Sequence, residues 1–387
     1  MSRAMAQPGQ PSSWRWPSFS YSQYILVPAS YDVGQTTQVK SSLGRILQFK
    51  RMRFVIAVGV FACIFLVPIL APKREVYLDI GIASDYIPFT LEEIPLPGGV
   101  DWSRFAYSQY ATDSAYLCNS LMFFASLHRL GSKAERLLMY PSNMKPDSNG
   151  TSDSRLLSKA QDEYGLVPIA VQHRHGLYGD STWSDSYTKL LAFNQTQYDR
   201  VLALDSDSTL LQNMDELFLL PPAPVAIPRA YWLKGDPSTL TTSLILLQPS
   251  EDEFARVTQA TETAEGGDFD MEIINSLYGR DCMVLPHRPY TLLTGEFRNV
   301  DPKGHAAYLG NEYEVWDADR VLQEAKFLHF SDWPMPKPWL AAPDATVNEA
   351  QPKCMQGPGG EEDSCSRELW LGFYSDFKTR RMDICGE

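Results

Sequence analysis

From Arg104 onward the chain alternates short apolar runs with amphipathic stretches. RFAYSQY (104–110), ERLLMYP (135–141), LVPIAVQ (166–172), RVLALDSD (200–207) and TTSLILLQPS (241–250) each set a few apolar residues between polar or turn-forming ones, which predicts strands. Between them, residues 115–131 place Leu117, Leu121, Phe124 and Leu127 at helical spacing, with Gly131 as the cap. SDSRLLSKAQDEYG reads as a second helix. Ser184 or Asp185 is placed to cap a third, DSYTKLLAFNQTQ. Strands apolar on both faces, separated by helices, predict an α/β domain on a parallel sheet covered on both sides. That domain is expected over residues 101–343, with a Pro/Gly-rich, cysteine-bearing wrap over 344–387.

The amino-terminal quarter has a different texture. Residues 1–45 are rich in Ser, Gln, Tyr and Pro without apolar periodicity, as in a flexible tail. FVIAVGVFACIFLVPILA, residues 54–71, carries no charge over 18 positions. It is apolar all round, unlike a core helix, and lies too far along the chain for a cleaved signal peptide. It is just long enough to cross roughly 30 Å of hydrocarbon. Lys50, Arg51 and Arg53 precede it, which orients residues 1–53 as a basic cytosolic tail and 54–71 as a signal anchor of type II topology. Residues 72–100, with IPFTLEEIPLPGG, read as an extended lumenal stem.

Charge sharpens this division. The whole chain of 387 residues carries −13, but residues 1–53 hold seven basic side chains against Asp32, a net +6, so the remainder carries −19. An acidic body excludes nucleic acid as a partner, since a phosphate backbone requires a basic face. With 44% hydrophobic residues the body is long enough to bury a sizeable core. Two sequons, Asn149-Gly150-Thr151 and Asn194-Gln195-Thr196, agree with a secretory lumen. Five cysteines follow the span: Cys118, Cys282, Cys354, Cys365 and Cys385. Cys354 and Cys365 would close a small loop over GPGGEEDS in an oxidising compartment. Their spacing fits no common zinc module.

Ligands of open α/β sheets collect at the carboxyl ends of strands, which directs attention to Asp205-Ser206-Asp207. Two carboxylates on the turn leaving a buried strand can converge on a hard cation, Mg²⁺ or Mn²⁺. The spacing recurs at Asp268/Asp270 and Asp317/Asp319, but only the first pair follows a fully apolar strand. Asp317 and Asp319 read as the first turn of a helix, where carboxylates are merely stabilising. A second locus, KFLHFSDWPMPKPW (326–339), delivers His329 from a short apolar strand and sets Lys337 in a proline-stiffened loop. An imidazole favours Mn²⁺ over Mg²⁺, and an ammonium there can neutralise a diphosphate.

Together these segments resemble glycosyltransferase family 8, the glycogenin-like group. TDSAYLCNSLMFFASL, TKLLAFNQTQYDRVLALDSD, LQPS and HF…KPW fall in that family's order across about residues 104–340. The resemblance implies a GT-A, Rossmann-like nucleotide-diphospho-sugar transferase domain that works with retention, using Mn²⁺ and a UDP-sugar. It implies that Thr112 and Tyr116 contact the uracil, that Lys189 lies near the nucleotide with Ser206, and that Arg200 lies near the donor sugar. Asp205, Asp207 and His329 would hold the metal, and Lys337 the diphosphate. Asp270 matches the family's acid, with Glu272 a further candidate for polar contact with the sugar, while Met271 stands where the family has a glutamine. Thr241-Thr242-Ser243 likewise replaces an NSG-like triplet, so the donor pocket differs from glycogenin's. SLHRLGSKAERLLMYP, YDRVLALDSDSTLLQNMDELFLLPPAPVAIPRAYW and YTLLTGEFR are most similar to the fungal Golgi N-acetylglucosaminyltransferases of this family, and set Arg229 and Trp232 near the donor pocket. That implies UDP-GlcNAc as donor and a mannose-type glycan on secretory glycoproteins as acceptor. The same fold with UDP-glucose or UDP-galactose, and a non-catalytic nucleotide-sugar-binding Golgi protein, are the alternatives.

Overall fold

The structure, a computed structural model, describes residues 99–386 apart from 143, 145–149, 172–184, 234–235, 266–267, 300–301, 354, 357–361 and 364. The expected tail, the apolar run 54–71 and nearly all of the stem lie outside the described residues. Among the described residues no helix is long and apolar enough to cross a membrane.

The chain runs β1 (Phe105–Tyr110), α1 (Ser114–Arg129), β2 (Glu135–Pro141), α2 (Ser152–Tyr164) and β3 (Leu166–Val171), then a 3-10 helix (Asp185–Asn194). β4 (Arg200–Leu204), β5 (Ser208–Leu210), β6 (Val225–Pro228) and β7 (Leu244–Leu247) follow. After them come α3 (Glu251–Glu262), α4 (Asp270–Tyr278), β8 (Met283–Leu285) and β9 (Leu292–Leu293), then α5 (Ala318–Glu324), β10 (Phe327–His329) and α6 (Cys365–Cys385). The main sheet has the order β3-β2-β1-β4-β7-β6-β8. From β1 the chain steps outwards through β2 to β3 and then returns past them to set β4 on the other side of β1, so the strand order reverses between β1 and β4; this is where an open α/β sheet parts to admit a ligand.

The sheet is mixed rather than parallel throughout. β1, β2, β3 and β4 are mutually parallel, but β7 runs antiparallel to both β4 and β6. An apolar run buried on two faces reads alike in either direction. Direction follows instead from the connection, and β6 returns into β7 without the crossover helix that a parallel neighbour requires. The alternation along β4 shows the two-sided burial. Leu202 and Leu204 pack with Tyr107, Leu121 and Phe124 of β1 and α1, whereas Val201 and Ala203 pack with Phe193, Val257 and Ile274 on the opposite face.

The helix starts follow the expected chemistry. Asp113 caps α1 by accepting the Tyr116 N–H at 2.9 Å, and Asp317 caps α5 by accepting that of Arg320 at 3.0 Å. Gly131 sits just past α1 with φ of 68°, a left-handed conformation that a side chain disfavours. The third expected helix is a 3-10 helix. Its three-residue period lines Ser186, Lys189 and Ala192 along one buried face. A second, smaller sheet of β5, β10 and β9 leans on the end of β4.

The carboxyl-terminal helix α6 packs against α1. Arg381 reaches the Asn119 side chain at 2.7 Å and the Ala115 carbonyl at 3.0 Å, and Cys118 is joined to Cys385 in a disulfide. Cys282 is a free thiol. The expected Cys354–Cys365 bridge lies outside the described residues, because Cys354 does.

Candidate active site

Asp205 is the first residue beyond β4. Its backbone is held on three sides: its N–H donates to the Ser243 carbonyl at 3.1 Å, and its own carbonyl accepts from the Ser208 hydroxyl at 2.6 Å and the Gln109 amide at 3.3 Å. After the turn, β5 pairs antiparallel with β10 in a register that sets His329 opposite Ser208. The Phe330 N–H then donates to the Asp207 carbonyl at 2.9 Å. That ladder brings His329 Nε2 to 3.1 Å from one Asp207 oxygen and 3.7 Å from an Asp205 oxygen. Ligand atoms of Asp205, Asp207 and His329 all lie within 4.8 Å of one another. Lys337 returns from the following loop to ion-pair with the other Asp207 oxygen.

A second group lies beneath. The Lys189 ammonium is 3% exposed and touches Asp205 at 2.7 Å, Asp270 at 2.6 Å and the Thr242 carbonyl at 2.7 Å. Two of these contacts are hydrogen bonds and the third is an ion pair, so the buried cation is compensated by charge on two sides. Lys189 is therefore a brace between two carboxylates on the carboxyl edge of the sheet. Its line-mate Ser186 accepts the Asp270 N–H at 3.3 Å, so the 3-10 period aims both residues at the start of α4.

The electrostatics follow from these contacts. Burial pushes the Asp207 carboxyl up, but Lys337 and His329 outweigh it and hold the group well below the usual carboxylate range. Burial dominates at Asp205 and, with the Asp207 and Asp270 charges, raises its carboxyl despite Lys189 and His329. Burial alone would lower Lys189; Asp205 and Asp270 more than reverse that and keep it firmly protonated. Tyr110, at the end of β1, is held neutral by burial and by the charges of Asp205, Asp270 and Asp207.

The donor set fits a divalent cation of the Mn²⁺ type, with two carboxylates and one imidazole converging. The buried Ser206 hydroxyl between the two acids has no partner among the described residues, as expected of a group awaiting a polar ligand. Three carboxylates face two ammonium groups, leaving one negative charge that a dication would reverse.

The other expected residues divide. Thr112 and Tyr116 stand beyond the carboxyl end of β1, on the edge of the sheet where Asp205 emerges, and the Tyr116 ring meets Trp339 edge-on at 5.0 Å. Arg229 and Trp232 follow β6, which runs parallel to β4 and ends on that edge too. Arg200 is not brought there. It opens β4 at the opposite end, and its guanidinium donates to the Phe218 carbonyl at 3.1 Å, so the structure does not bring it together with Asp205 and Asp207. Glu272 turns back on its own helix: its carboxylate accepts the Phe269 N–H at 3.0 Å and caps α4.

Several contributors escaped the sequence reading. Gln109 is fully buried beside Ser108 in β1, and a long amide in a buried strand was its only signal. Trp339 belongs to the KPW motif but gains its role from Tyr116. Asp332, three residues after His329, is buried and accepts from the Trp370 indole at 2.8 Å and the Tyr374 hydroxyl at 2.9 Å, pinning the Lys337 loop to α6.

No family model matches the chain. It is 54% identical over 294 residues to a protein of Gibberella zeae named glucose N-acetyltransferase 1, a match covering 74% of this chain and 63% of that one. The chain thus spans less than two thirds of that relative's length. A protein of the same name from Aspergillus fumigatus is 44% identical over 354 residues, covering 87% of this chain and 88% of that one. Among solved structures, the apo form of the glycosyltransferase GlyE from Streptococcus pneumoniae is similar at 17% identity with a TM-score of 0.44, over 73% of this chain and 62% of that chain.

Proposed function

Because the chain belongs to the fungal glucose N-acetyltransferase 1 family, we propose that it is a glycosyltransferase moving N-acetylglucosamine from UDP-GlcNAc to a mannose-type glycan of secretory glycoproteins. The observation that carries this reading is the convergence of Asp205, Asp207, His329 and Lys337 at the carboxyl edge of the sheet. In this reading the domain has the GT-A fold and faces the Golgi lumen behind the anchor 54–71.

The residues divide the work as follows. Tyr116, braced by Trp339, offers an aromatic face to the uracil. Asp205, Asp207 and His329 would hold Mn²⁺, which supplies Lewis-acid stabilisation of the diphosphate leaving group. Lys337 moves its charge from Asp207 to the phosphate oxygens as the bond from the anomeric carbon to the diphosphate breaks. Asp270, fixed by Lys189, presents a carboxylate towards the donor sugar, where Met271 offers no amide to hydrogen-bond. The acceptor hydroxyl attacks from the face the leaving group departs and gives its proton to the departing diphosphate oxygen, which retains configuration.

The test incubates the full chain with UDP-GlcNAc, UDP-glucose and UDP-galactose, with Mn²⁺ or chelator, and measures released UDP. Mn²⁺-dependent release from UDP-GlcNAc, rising with mannose oligosaccharides, is the expected result. Preference for another hexose would replace the donor. Silence with every donor from folded protein would leave a nucleotide-sugar-binding protein.

A further inference from the structure

The sequon at Asn194 takes no part in the site, and its placement is specific. Asn194 ends the 3-10 helix that carries Lys189. Two tight turns follow, with the Gln195 N–H donating to the Ala192 carbonyl and the Tyr198 N–H to the Gln195 carbonyl, each at 3.1 Å. Gln195 is 6% exposed and points inward, its amide donating to the Leu191 carbonyl at 3.2 Å. That inward peg leaves Asn194 and Thr196, the two residues an N-glycosylation acceptor must present, both exposed to solvent.

We propose that Asn194 carries an N-linked glycan; this rests on the lumenal orientation proposed above. In the transfer, the side-chain amide nitrogen of Asn194 bonds to the anomeric carbon of a lipid-diphosphate-linked oligosaccharide. The bond from that carbon to the diphosphate breaks, the lipid diphosphate leaves with the electron pair, and the amide gives up one proton. The host's secretory machinery supplies the donor and performs the step on the nascent chain. The folded protein has only to carry the product.

The fold carries it without cost to the chemistry. The turn at 194–199 feeds the amino end of β4, whereas Asp205 leaves the carboxyl end. Five strand residues at about 3.3 Å each separate the two edges by roughly 17 Å. The glycan therefore projects from the edge that also exposes the Arg104–Asp199 ion pair, away from Asp207, His329 and Lys337.

The experiment expresses the full chain, Asn194→Gln, Thr196→Ala, Asn149→Gln and the Asn149→Gln/Asn194→Gln double variant in a eukaryotic secretory host. Enzymatic deglycosylation converts a modified asparagine to aspartate, which mass spectrometry reads in the tryptic peptide Leu190–Arg200. The expected result is aspartate at Asn194 in the parent, unconverted asparagine in Thr196→Ala, and loss of one mobility step in Asn194→Gln. UDP release by Asn194→Gln should stay within about twofold of the parent, as for a surface change remote from the site. Unmodified Asn194 beside a modified Asn149 would overturn the proposal and leave the lumenal reading standing. If neither is modified, protease treatment of intact microsomes separates the cases. A protected domain overturns only the glycan, and a digested one overturns the lumenal reading with it.

Discussion

His329 and Asp207 lie 122 positions apart in the chain, yet the His329 Nε2 stands 3.1 Å from an Asp207 oxygen because a three-residue antiparallel ladder sets His329 opposite Ser208. The geometry of this candidate metal site is thus a consequence of strand register. A one-residue slip of β10 would turn the imidazole to the other face and empty the site of nitrogen.

Asp207→Asn removes a candidate ligand but leaves a tolerable fold, since the freed Lys337 is 27% exposed and can rehydrate. UDP release should fall about 100-fold or more. Added Mn²⁺ should raise the melting temperature of the parent through linkage but not that of the variant. Equal Mn²⁺ stabilisation of both proteins would remove Asp207 from the ligand set.

Lys189 behaves differently because it is 3% exposed. Lys189→Met strands Asp205 and Asp270 side by side without a cation, which should cost about 3–5 kcal/mol in denaturant unfolding. Adding Asp270→Asn should recover part of that loss by removing one of the two stranded charges, whereas purely additive effects would contradict the brace.

Tyr116→Ala should weaken UDP binding by about 1–3 kcal/mol, the range for aromatic stacking on a base. Trp339→Ala removes only the edge-on support, so about 0.5–1.5 kcal/mol is expected. Calorimetric titration with UDP reads both. The order Tyr116 above Trp339 is what the geometry demands.

Cys385→Ser opens the link from α6 to α1, two residues after Tyr116. Unfolding free energy should drop by about 2–5 kcal/mol. The KM for the donor should rise more than kcat falls, because α6 backs Trp339 through Phe377, their rings 6.3 Å apart. A loss confined to kcat would point elsewhere.

Glu314 offers a pH test remote from the site. Its hydrogen bonds to Arg288, at 2.6 and 2.7 Å, outweigh desolvation and hold the carboxyl down at about 2. A depressed carboxyl stabilises the fold above its unfolded value, near 4.5, and that contribution is lost as pH falls towards 2. Glu314→Gln should therefore cost about 1 kcal/mol at pH 7, and the gap from the parent should narrow steadily between pH 5 and pH 3.

Much of this was legible before any coordinates. Apolar runs placed β1 to β4 and β7, the helix start at Asp317 was readable, and the choice of Asp205/Asp207 over Asp317/Asp319 needed only the buried strand preceding the first pair. These are local properties: an apolar strand, a polar turn and a capping carboxylate are set by neighbours in the chain.

The tertiary structure decided whatever depends on which segments meet. It reversed β7, because burial pattern carries no direction. It made Lys189 a brace, because only packing puts a side chain between Asp205 and Asp270. It sent Arg200 to the far end of the strand that carries Asp205, a consequence of strand length that residue type conceals. It joined Cys118 to Cys385 across 267 residues, since a disulfide is chosen by proximity after folding. The sequence by itself determined which groups were available for chemistry; long-range register and packing determined which of them share a site.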